Sequence, residues 1–187
     1  MKLQNAGIPY VILALYDDSA TGSKEAVIFL RSTLPSVNAS FWWNILAHCG
    51  RHSGEVMVAH PFKIEAVVVL PDHLHTIWTL PEGDTDFSLR WRQTKAAFSR
   101  GLAKDERISA SRARKQERGI WQRRFWEHAI WDSNDFQRHV DYIHYNPVKH
   151  GYVGQVTDWP YLSFHRFVRL GHLPVDWAGA GDDLELE

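Results

Sequence analysis

Two histidines separated by one residue form a candidate metal site. His73 and His75 flank Leu74 in an apolar stretch that follows Pro71 and Asp72. Side chains two positions apart on a strand share a face, so the imidazoles should point the same way, about 7 Å apart along the strand. Neutral imidazole nitrogens at that spacing can hold one divalent ion. A polar strand surface explains the same spacing, and two ligands alone leave a metal under-coordinated.

Residues 141–151 hold a second group of candidates. A helix capped by Asp132 or its neighbour is expected here, and it should end near Asn146, because the residue before Pro147 is pushed out of the helical region. At about 100° per residue, Tyr142 and Asn146 fall on one flank of the buried stripe, whereas Tyr145 faces away from the core. Tyr142 could therefore reach a site on the sheet while Asn146 offers an amide oxygen to the same metal. An amphipathic helix with a boundary tyrosine is the alternative.

The elements that must position these groups indicate an α+β domain. Residues 62–70 and 73–80 are predicted to be two strands of an antiparallel hairpin, joined by a short turn at Pro71 and Asp72. Asp86 is predicted to cap a helix. Its apolar stripe recurs at helical spacing: Phe87, Trp91, Thr94, Phe98 and Leu102.

The first quarter of the chain is less regular. Residues 10–16 are predicted to form a strand, and residues 26–30 and 41–46 are predicted to be helical pieces, separated by Pro35. Residues 36–55 show no convincing helical stripe. Residues 104–119 have little apolar periodicity and are expected to form an exposed basic loop or a short helix.

The charge of the chain is unevenly distributed. The formal net charge is -1, which by itself argues against a nucleic-acid binder, because such domains are usually basic. Residues 90–124, however, carry 12 Lys/Arg against 3 Asp/Glu, and the parts on either side are net acidic. Cations interleaved with flat rings can follow a phosphate backbone and stack unpaired bases, although a solvated basic face is the alternative.

Aromatic side chains and histidines near this stretch are compatible with more than one role. Trp121, Trp126 and Trp131 could stack bases, but core burial is the favoured interpretation, because large aromatics are usually buried. Among the other histidines, His139 is the one whose predicted direction could bring it near the metal. The rest need no function: His128, His144, His150 and His165.

Composition suggests the cellular setting. The chain is 44% hydrophobic, enough to bury a core, and its single cysteine, Cys49, fits a reducing compartment. We see no signal peptide and no apolar run long enough to cross a membrane. A cytoplasmic protein without a membrane partner is therefore expected.

Four separated motifs, in order, resemble the REP-associated tyrosine transposases, which are bacterial members of the HUH single-tyrosine group. The resemblance covers roughly residues 58–177. The motifs are Val67-Val68-Val69-Leu70-Pro71-Asp72-His73-Leu74-His75, Trp121-Gln122-Arg123-Arg124-Phe125-Trp126-Glu127-His128, Tyr142-Ile143-His144-Tyr145-Asn146-Pro147-Val148-Lys149-His150-Gly151, and Asp158-Trp159-Pro160-Tyr161 with Ser163-Phe164-His165-Arg166.

The resemblance implies a ferredoxin-like antiparallel sheet with helices packed on one face. It also implies metal-dependent cleavage and strand transfer of single-stranded DNA hairpins of the REP type through a 5′-phosphotyrosine. Tyr142 matches the family's nucleophile, His73 and His75 its histidine pair, and Asn146 its third metal ligand. Oxygen and imidazole ligands suit Mg²⁺ or Mn²⁺.

The expected DNA contacts come from the motifs and from the basic stretch: Arg90, Arg92, Lys95, Arg123, Arg124 and Lys149. Residues 1–57 match the family poorly and are predicted to be a divergent part of the same domain, holding its first strand and helix. Residues 58–177 are predicted to be the catalytic core, and residues 178–187 an acidic tail. The protein could be a monomer or a homodimer.

Two other functions are compatible with the sequence. The first is a DNA- or RNA-binding protein of the same fold that no longer cleaves, because of its N-terminus or through domestication. The second is a small metal-dependent hydrolase that uses the histidine pair with water instead of a tyrosine.

Overall fold

The computed structural model describes residues 27–33, 53–100, 108, 110–115, 118, 120–121 and 125–179. In these ranges the strands are β1 (Val27–Thr33), β2 (Lys63–Val69), β3 (His73–Thr79) and β4 (Trp126–Ala129). The helices are α1 (Ser53–Ala59), α2 (Phe87–Arg100), α3 (Ala110–Arg114), α4 (Ser133–Lys149) and α5 (Phe164–Arg169), with a 3-10 turn at Val156–Asp158. None of these helices is both long and apolar enough to cross a bilayer.

The four strands form one antiparallel sheet in the order β2-β3-β1-β4. β2 and β3 form the predicted hairpin, whose turn is closed by the Leu70 amide donating to the His73 carbonyl oxygen at 2.8 Å. The chain order β1-α1-β2-β3-α2-β4 with this sheet order is the ferredoxin-like arrangement. The predicted α+β class and antiparallel sheet are therefore confirmed.

Two crossover helices cover one face of the sheet. Alternate strand side chains such as Ile28 and Trp78 pack there with Val56 of α1 and Trp91 of α2. Trp78 also stacks on Phe62, with ring centroids 4.1 Å apart. This face agrees with the prediction of helices on one side.

The opposite face is covered as well, which corrects that prediction. Phe29 and Ile77 point to this side and pack with Val140 and Ile143 of α4. The physical reason is that β1 and β2 carry apolar side chains on both faces, with Phe29 and Val68 on this face and Leu30 and Val67 on the other. A strand that is apolar on both faces must be covered twice, so α4 and α5 add a second layer to the ferredoxin-like unit.

Helix α4 begins as predicted and ends later than predicted. Asp132 is the N-cap, and its side chain accepts a hydrogen bond from the Asp135 amide at 2.8 Å. The helix continues through Pro147 to Lys149 instead of ending at Asn146. Proline removes one amide donor, but the next turn is held by the His150 amide donating to the Asn146 carbonyl oxygen at 3.0 Å.

The α2 cap and the short basic helix also agree with the sequence. The Leu89 amide donates to the Asp86 carboxylate at 2.9 Å, as expected for a cap. Helix α3 has no buried residue, which fits the predicted exposed basic segment.

The prediction for residues 26–30 was wrong. Residues 27–30 belong to β1, because Val27, Ile28, Phe29 and Leu30 bury both faces of an extended strand paired with β3 and β4. Helix α1 begins at Ser53, near the end of residues 36–55, where no helical stripe was seen. The predicted strand at residues 10–16 and the predicted helical piece at residues 41–46 lie outside the described residues, as does Leu102 of the predicted α2 stripe.

Candidate functional site

The histidine pair lies at the start of β3, on the face that α4 covers. His73 is 5% exposed and His75 is 1% exposed. Their rings meet edge to face, with centroids 4.9 Å apart. His75 also stacks on Phe29 of β1 at 5.4 Å. The shared strand face predicted from the sequence is therefore present, and it is enclosed.

Three of the four ring nitrogens in this pair have no hydrogen-bond partner among the described residues. They are Nε2 of His73 and both nitrogens of His75. The remaining nitrogen, Nδ1 of His73, lies 2.7 Å from the Asp72 carboxylate. A carboxylate on one imidazole nitrogen is the usual arrangement when the other nitrogen binds a metal, because it fixes the ring and its tautomer.

Both histidines are held neutral. Burial lowers the pKa of His73 below its usual 6.5, although the hydrogen bond to Asp72 opposes the shift. Burial lowers the pKa of His75 further, with added repulsion from His73 and Arg31. Neutral imidazole is the form that binds a metal, so the pair is ready for a ligand near pH 7.

Helix α4 places Tyr142 against this pair, and its C-cap places His150 there. The Tyr142 ring lies 5.2 Å from the His75 ring, and the His150 ring lies 5.2 Å from the His73 ring. Asn146 is one turn from Tyr142 and one turn before the C-cap His150, so it lies on the same flank of α4 as these two residues. Asn146 is fully buried, and neither atom of its amide group has a hydrogen-bond partner among the described residues.

These residues fit a divalent metal. Buried polar atoms without partners are costly, and most native proteins satisfy them with protein or a bound species. Here the unpartnered atoms are imidazole nitrogens of His73 and His75 and an amide oxygen of Asn146. Tyr142, His73 and His75 are brought together, whereas their roles in catalysis and metal binding stay predictions.

Two cations border the site. The Lys149 ammonium lies 5.1 Å from the centre of the Tyr142 ring. Arg31 of β1 stands opposite His75 in the strand register, and its charge acts on both His73 and His75. Sequence analysis did not identify Arg31, because its position depends on strand pairing between distant segments. His150 was also missed as a neighbour of the site, although its i,i+4 spacing from Asn146 was a usable signal.

Arg90, predicted to contact DNA, has a structural role instead. It is 3% exposed. Its guanidinium donates to the Pro61 carbonyl oxygen at 3.0 Å, to the Asp86 carbonyl oxygen at 3.0 Å and to the Asp84 carboxylate at 2.7 Å. These bonds tie the start of α2 to the loop before β2, so Arg90 is removed from the predicted DNA contacts.

The other predicted cations of α2 lie on the face of the sheet opposite the histidine pair. Arg92 is exposed there. Lys95 is half-buried among the rings of Trp91, Trp121 and Phe125, 5.3 to 5.8 Å from their centres, and burial lowers its pKa. Arg123 and Arg124 lie outside the described residues. Of the six predicted DNA contacts, Lys149 is therefore the described one that borders the histidine pair.

A second histidine cluster lies on the same face of the sheet, nearer β4. His128, Asp135 and His139 could together hold a metal ion, since their potential ligand atoms all lie within 4.8 Å of one another. These side chains already bond to each other. His128 Nε2 lies 2.9 Å from the Asp135 carboxylate, and His139 Nδ1 lies 2.8 Å from the Asp135 carbonyl oxygen. Phe29 separates the two clusters, with its ring 4.7 Å from His139 and 5.4 Å from His75.

The three tryptophans do not share one environment. Trp121 is half-buried and packs against the α2 face, in agreement with the core interpretation. Trp126 is 47% exposed and Trp131 is 78% exposed, so core burial was wrong for these two. Trp126 belongs to β4 and Trp131 follows it. β4 is an edge strand, so it has a neighbouring strand on one side only and its side chains are less covered.

Comparisons with known proteins found similar sequences and a similar solved structure. No protein-family model matches the chain. The REP-associated tyrosine transposase of Escherichia coli (strain K12) is 54% identical over 119 residues, which are 64% of this chain and 64% of that protein. A Haemophilus influenzae protein, provisionally given the same name, is 50% identical over 124 residues, which are 66% of this chain and 70% of that protein.

One solved structure is similar over most of the chain. It is described as the REP-associated tyrosine transposase bound to a REP hairpin, with a TM-score of 0.67 and 43% sequence identity. The match covers 84% of this chain and 88% of that one. The match to the Escherichia coli relative, by contrast, spans slightly less than two thirds of that protein's length.

Proposed function

We propose that this chain, which belongs to the REP-associated tyrosine transposase family, binds structured single-stranded DNA and transfers a strand through a covalent tyrosine link. The observation that carries the proposal is the buried, unpartnered nitrogens of His73 and His75 beside the Tyr142 ring, 5.2 Å from His75. The hairpin in the similar solved structure supports a DNA hairpin as the substrate.

The proposed catalytic domain includes part of the N-terminal segment. Residues 58–177 remain the proposed core, but β1 is a central strand of the sheet between β3 and β4. The divergent residues 1–57 therefore contribute to the same domain and hold Arg31 of the site.

His73, His75 and Asn146 would hold a Mg²⁺ or Mn²⁺ ion. Such an ion, when bound, polarises a phosphoryl oxygen and neutralises charge on the phosphate. Asp72 acts as a positioning residue, because its carboxylate on Nδ1 of His73 leaves Nε2 directed at the ligand.

Tyr142 would be the nucleophile. Its phenolic oxygen attacks the phosphorus, the bond from phosphorus to the 3′ oxygen breaks, and the phenolic proton is balanced by protonation of the leaving 3′ oxygen. The products are a 5′-phosphotyrosine and a free 3′-hydroxyl. Because the new ester keeps one phosphodiester-type bond, a 3′-hydroxyl can reverse the reaction and rejoin a strand without ATP.

Lys149 and Arg31 would supply positive charge. A neutral phenol is a weak nucleophile, and a cation next to its ring favours the phenolate that attacks. Lys149 is placed to do this, 5.1 Å from the Tyr142 ring centre. Arg31, opposite His75 in the strand register, would contact the phosphate that undergoes attack.

The direct test is formation of a covalent adduct. The full chain is incubated with Mn²⁺ and end-labelled single-stranded hairpin DNA, and the products are separated on a denaturing gel. Tyr142→Phe should abolish the adduct. Tyr145→Phe is the matched control, because Tyr145 is three residues away on α4 and lies against Gly179 instead of the histidines.

The outcomes separate the candidate functions. Cleavage that persists in Tyr142→Phe would exclude Tyr142 as the nucleophile and favour a hydrolase that uses water. Binding of the hairpin by the wild-type protein with no adduct would favour a non-cleaving DNA-binding protein. Loss of the adduct in Tyr145→Phe but not in Tyr142→Phe would move the nucleophile to the other tyrosine.

A further inference from the structure

Trp126 is a large aromatic residue that the fold leaves half exposed beside the proposed site. It is the first residue of the edge strand β4 and is 47% exposed. Its register partner is Arg31, which in turn pairs with His75. Residues directly opposite one another in a sheet share a face. His75, Arg31 and Trp126 therefore form one row across the face that carries Tyr142.

The indole of Trp126 packs against two other rings, those of His128 and Phe29. It lies parallel to the His128 ring, at 5.9 Å and 5°, and edge to face with Phe29 at 5.5 Å. His128 is itself stacked on His139 at 4.8 Å and bonded to the Asp135 carboxylate at 2.9 Å. A ring held in this way keeps its orientation without a ligand, so binding to its open side costs little ordering.

The position of this ring relative to Tyr142 is also defined. Phe29 contacts both side chains, with its ring 5.5 Å from Trp126 and 6.2 Å from Tyr142. Neighbouring strands lie about 4.8 Å apart, so Trp126 is two strands, or roughly 10 Å, from His75. A strand whose phosphate is held at His75 would pass Arg31 and reach Trp126 within about one or two nucleotides.

We propose that the exposed face of Trp126 is a stacking platform for an unpaired base next to the phosphate held at His75. The proposal rests on the proposed DNA function, and it assigns a ligand to a residue that the strand-transfer chemistry leaves unused. An unpaired nucleobase fits better than a protein side chain. The row of Arg31 and Trp126 offers one cation and one flat ring, which is the pair of groups that single-stranded nucleic acids require.

The test measures binding without catalysis. All variants are made in the full chain with Tyr142→Phe, and fluorescence anisotropy is recorded in EDTA with labelled hairpins that carry single-stranded extensions or none. Trp126→Ala should weaken binding to extended hairpins about tenfold, which corresponds to about 1.4 kcal/mol, and should leave blunt hairpins unaffected. Trp126→Phe should restore much of the affinity, because it keeps a flat ring.

A series of extended hairpins with one abasic nucleotide each locates the stacked base. At one or two positions, the abasic nucleotide should weaken binding by the Tyr142→Phe parent. The loss should be about as large as the loss that Trp126→Ala causes with the intact hairpin. At those same positions, Trp126→Ala should add no further loss. This non-additivity is the signature of direct contact between the ring and that base.

Trp131→Ala is the matched control. Trp131 is more exposed than Trp126 but lies beyond the end of β4, so its removal should change affinity less than twofold. If Trp126→Ala fails to fold, Trp126→Leu replaces it in the binding measurements and in the abasic series, because leucine fills the site without a flat ring.

Three results would overturn the proposal in different ways. If the Tyr142→Phe parent binds extended hairpins and Trp126→Ala binds each of them with the same affinity as the parent, Trp126 is not a stacking platform. The proposed DNA function is then unaffected. Equal losses for blunt and extended hairpins, with no coupling to any abasic position, would assign Trp126 a structural or protein-docking role. If the parent binds no hairpin at all, the proposed DNA function fails together with the platform.

Discussion

The two histidine clusters on the α4 face differ in whether their polar atoms are satisfied. In the cluster of His128, Asp135 and His139, each side chain bonds within the cluster. In the pair of His73 and His75, three of four ring nitrogens have no partner among the described residues. Both groups have the residue types of a metal site, and they lie on either side of Phe29.

The first group is held by bonds among its own residues, whereas the second keeps buried nitrogens to which no described residue bonds. Asp135 accepts from His128 and from the Trp131 amide at 3.1 Å, and these bonds lower its pKa although burial opposes the shift. The cluster therefore connects β4 to the first turn of α4 through a hydrogen-bond network around the Asp135 carboxylate. In the other group, the Asp72 carboxylate bonds to Nδ1 of His73, and the other three ring nitrogens of His73 and His75 have no partner among the described residues.

The largest expected effect is on cleavage. His75→Ala should lower the single-turnover rate of adduct formation by about 1000-fold, because it removes a ligand of a metal that contributes several kcal/mol. His128→Ala should lower the rate about tenfold or less, because it only loosens the support of Trp126. Measuring both rates on hairpin DNA with Mn²⁺ tests the comparison. A larger loss in His128→Ala would place the catalytic metal in the other cluster.

A second prediction concerns Asp141, a carboxyl group on α4 between the residues of the two clusters. Burial raises its pKa from 3.8 to about 6, although Gln137 donates to it at 2.7 Å. Between these pH values the folded protein keeps a proton that the unfolded chain has released, so the free energy of unfolding falls as pH rises. Above pH 6 the cost approaches about 3 kcal/mol.

Asp141→Asn should remove this cost. We expect it to raise the free energy of unfolding at pH 7 by up to about 3 kcal/mol and to change little at pH 4. Urea denaturation at both pH values measures the effect, with Asp176→Asn as an exposed control. Equal stability of wild type and Asp141→Asn at pH 7 would show that Gln137 compensates fully for the buried charge.

The third prediction tests whether the satisfied cluster stabilises the fold. Asp135→Ala should lower the free energy of unfolding by about 2 kcal/mol, because bonds to a charged acceptor are lost and His128 is left without its partner. Asp176→Ala serves as the control on an exposed carboxylate. A stability equal to that of wild type in urea would show that the network adds nothing to folding.

The smallest expected effect is stabilisation by metal. At about ten times its dissociation constant, Mn²⁺ should raise the free energy of unfolding of the wild type by about 1.4 kcal/mol. His73→Ala should lose this gain and His128→Ala should keep it. The gain should be constant from pH 8 down to pH 6.5 and decline only at lower pH, because burial holds the pKa values of His73 and His75 below the usual 6.5. If the gain is lost in His128→Ala and kept in His73→Ala, the metal binds at the cluster of His128, Asp135 and His139 instead.

Patterns within a single element were predicted well. The hairpin of β2 and β3 and the caps at Asp86 and Asp132 follow from turn residues and from short side chains that bond the next turn. The shared face of His73 and His75 follows from the two-residue period of a strand. Tyr142 and Asn146 share a flank of α4 because of the helical period.

Contacts between distant elements were predicted poorly. Arg90 was grouped with the DNA contacts because of its charge, but its partners Pro61 and Asp84 come from other segments. Residues 26–30 were assigned to a helix because their strand character depends on pairing with β3 and β4. Arg31 was missed for the same reason.

The sequence by itself determined which side chains share a face within one strand or helix, and the resemblance of its motifs identified the family. Only the tertiary structure decided that α4 lies against the face with His73 and His75, while the cations of α2 lie on the other face. It also decided that one histidine cluster is satisfied and the other is open. The physical reason is that periodicity is a property of the local backbone, whereas hydrogen-bond satisfaction depends on atoms brought together by packing.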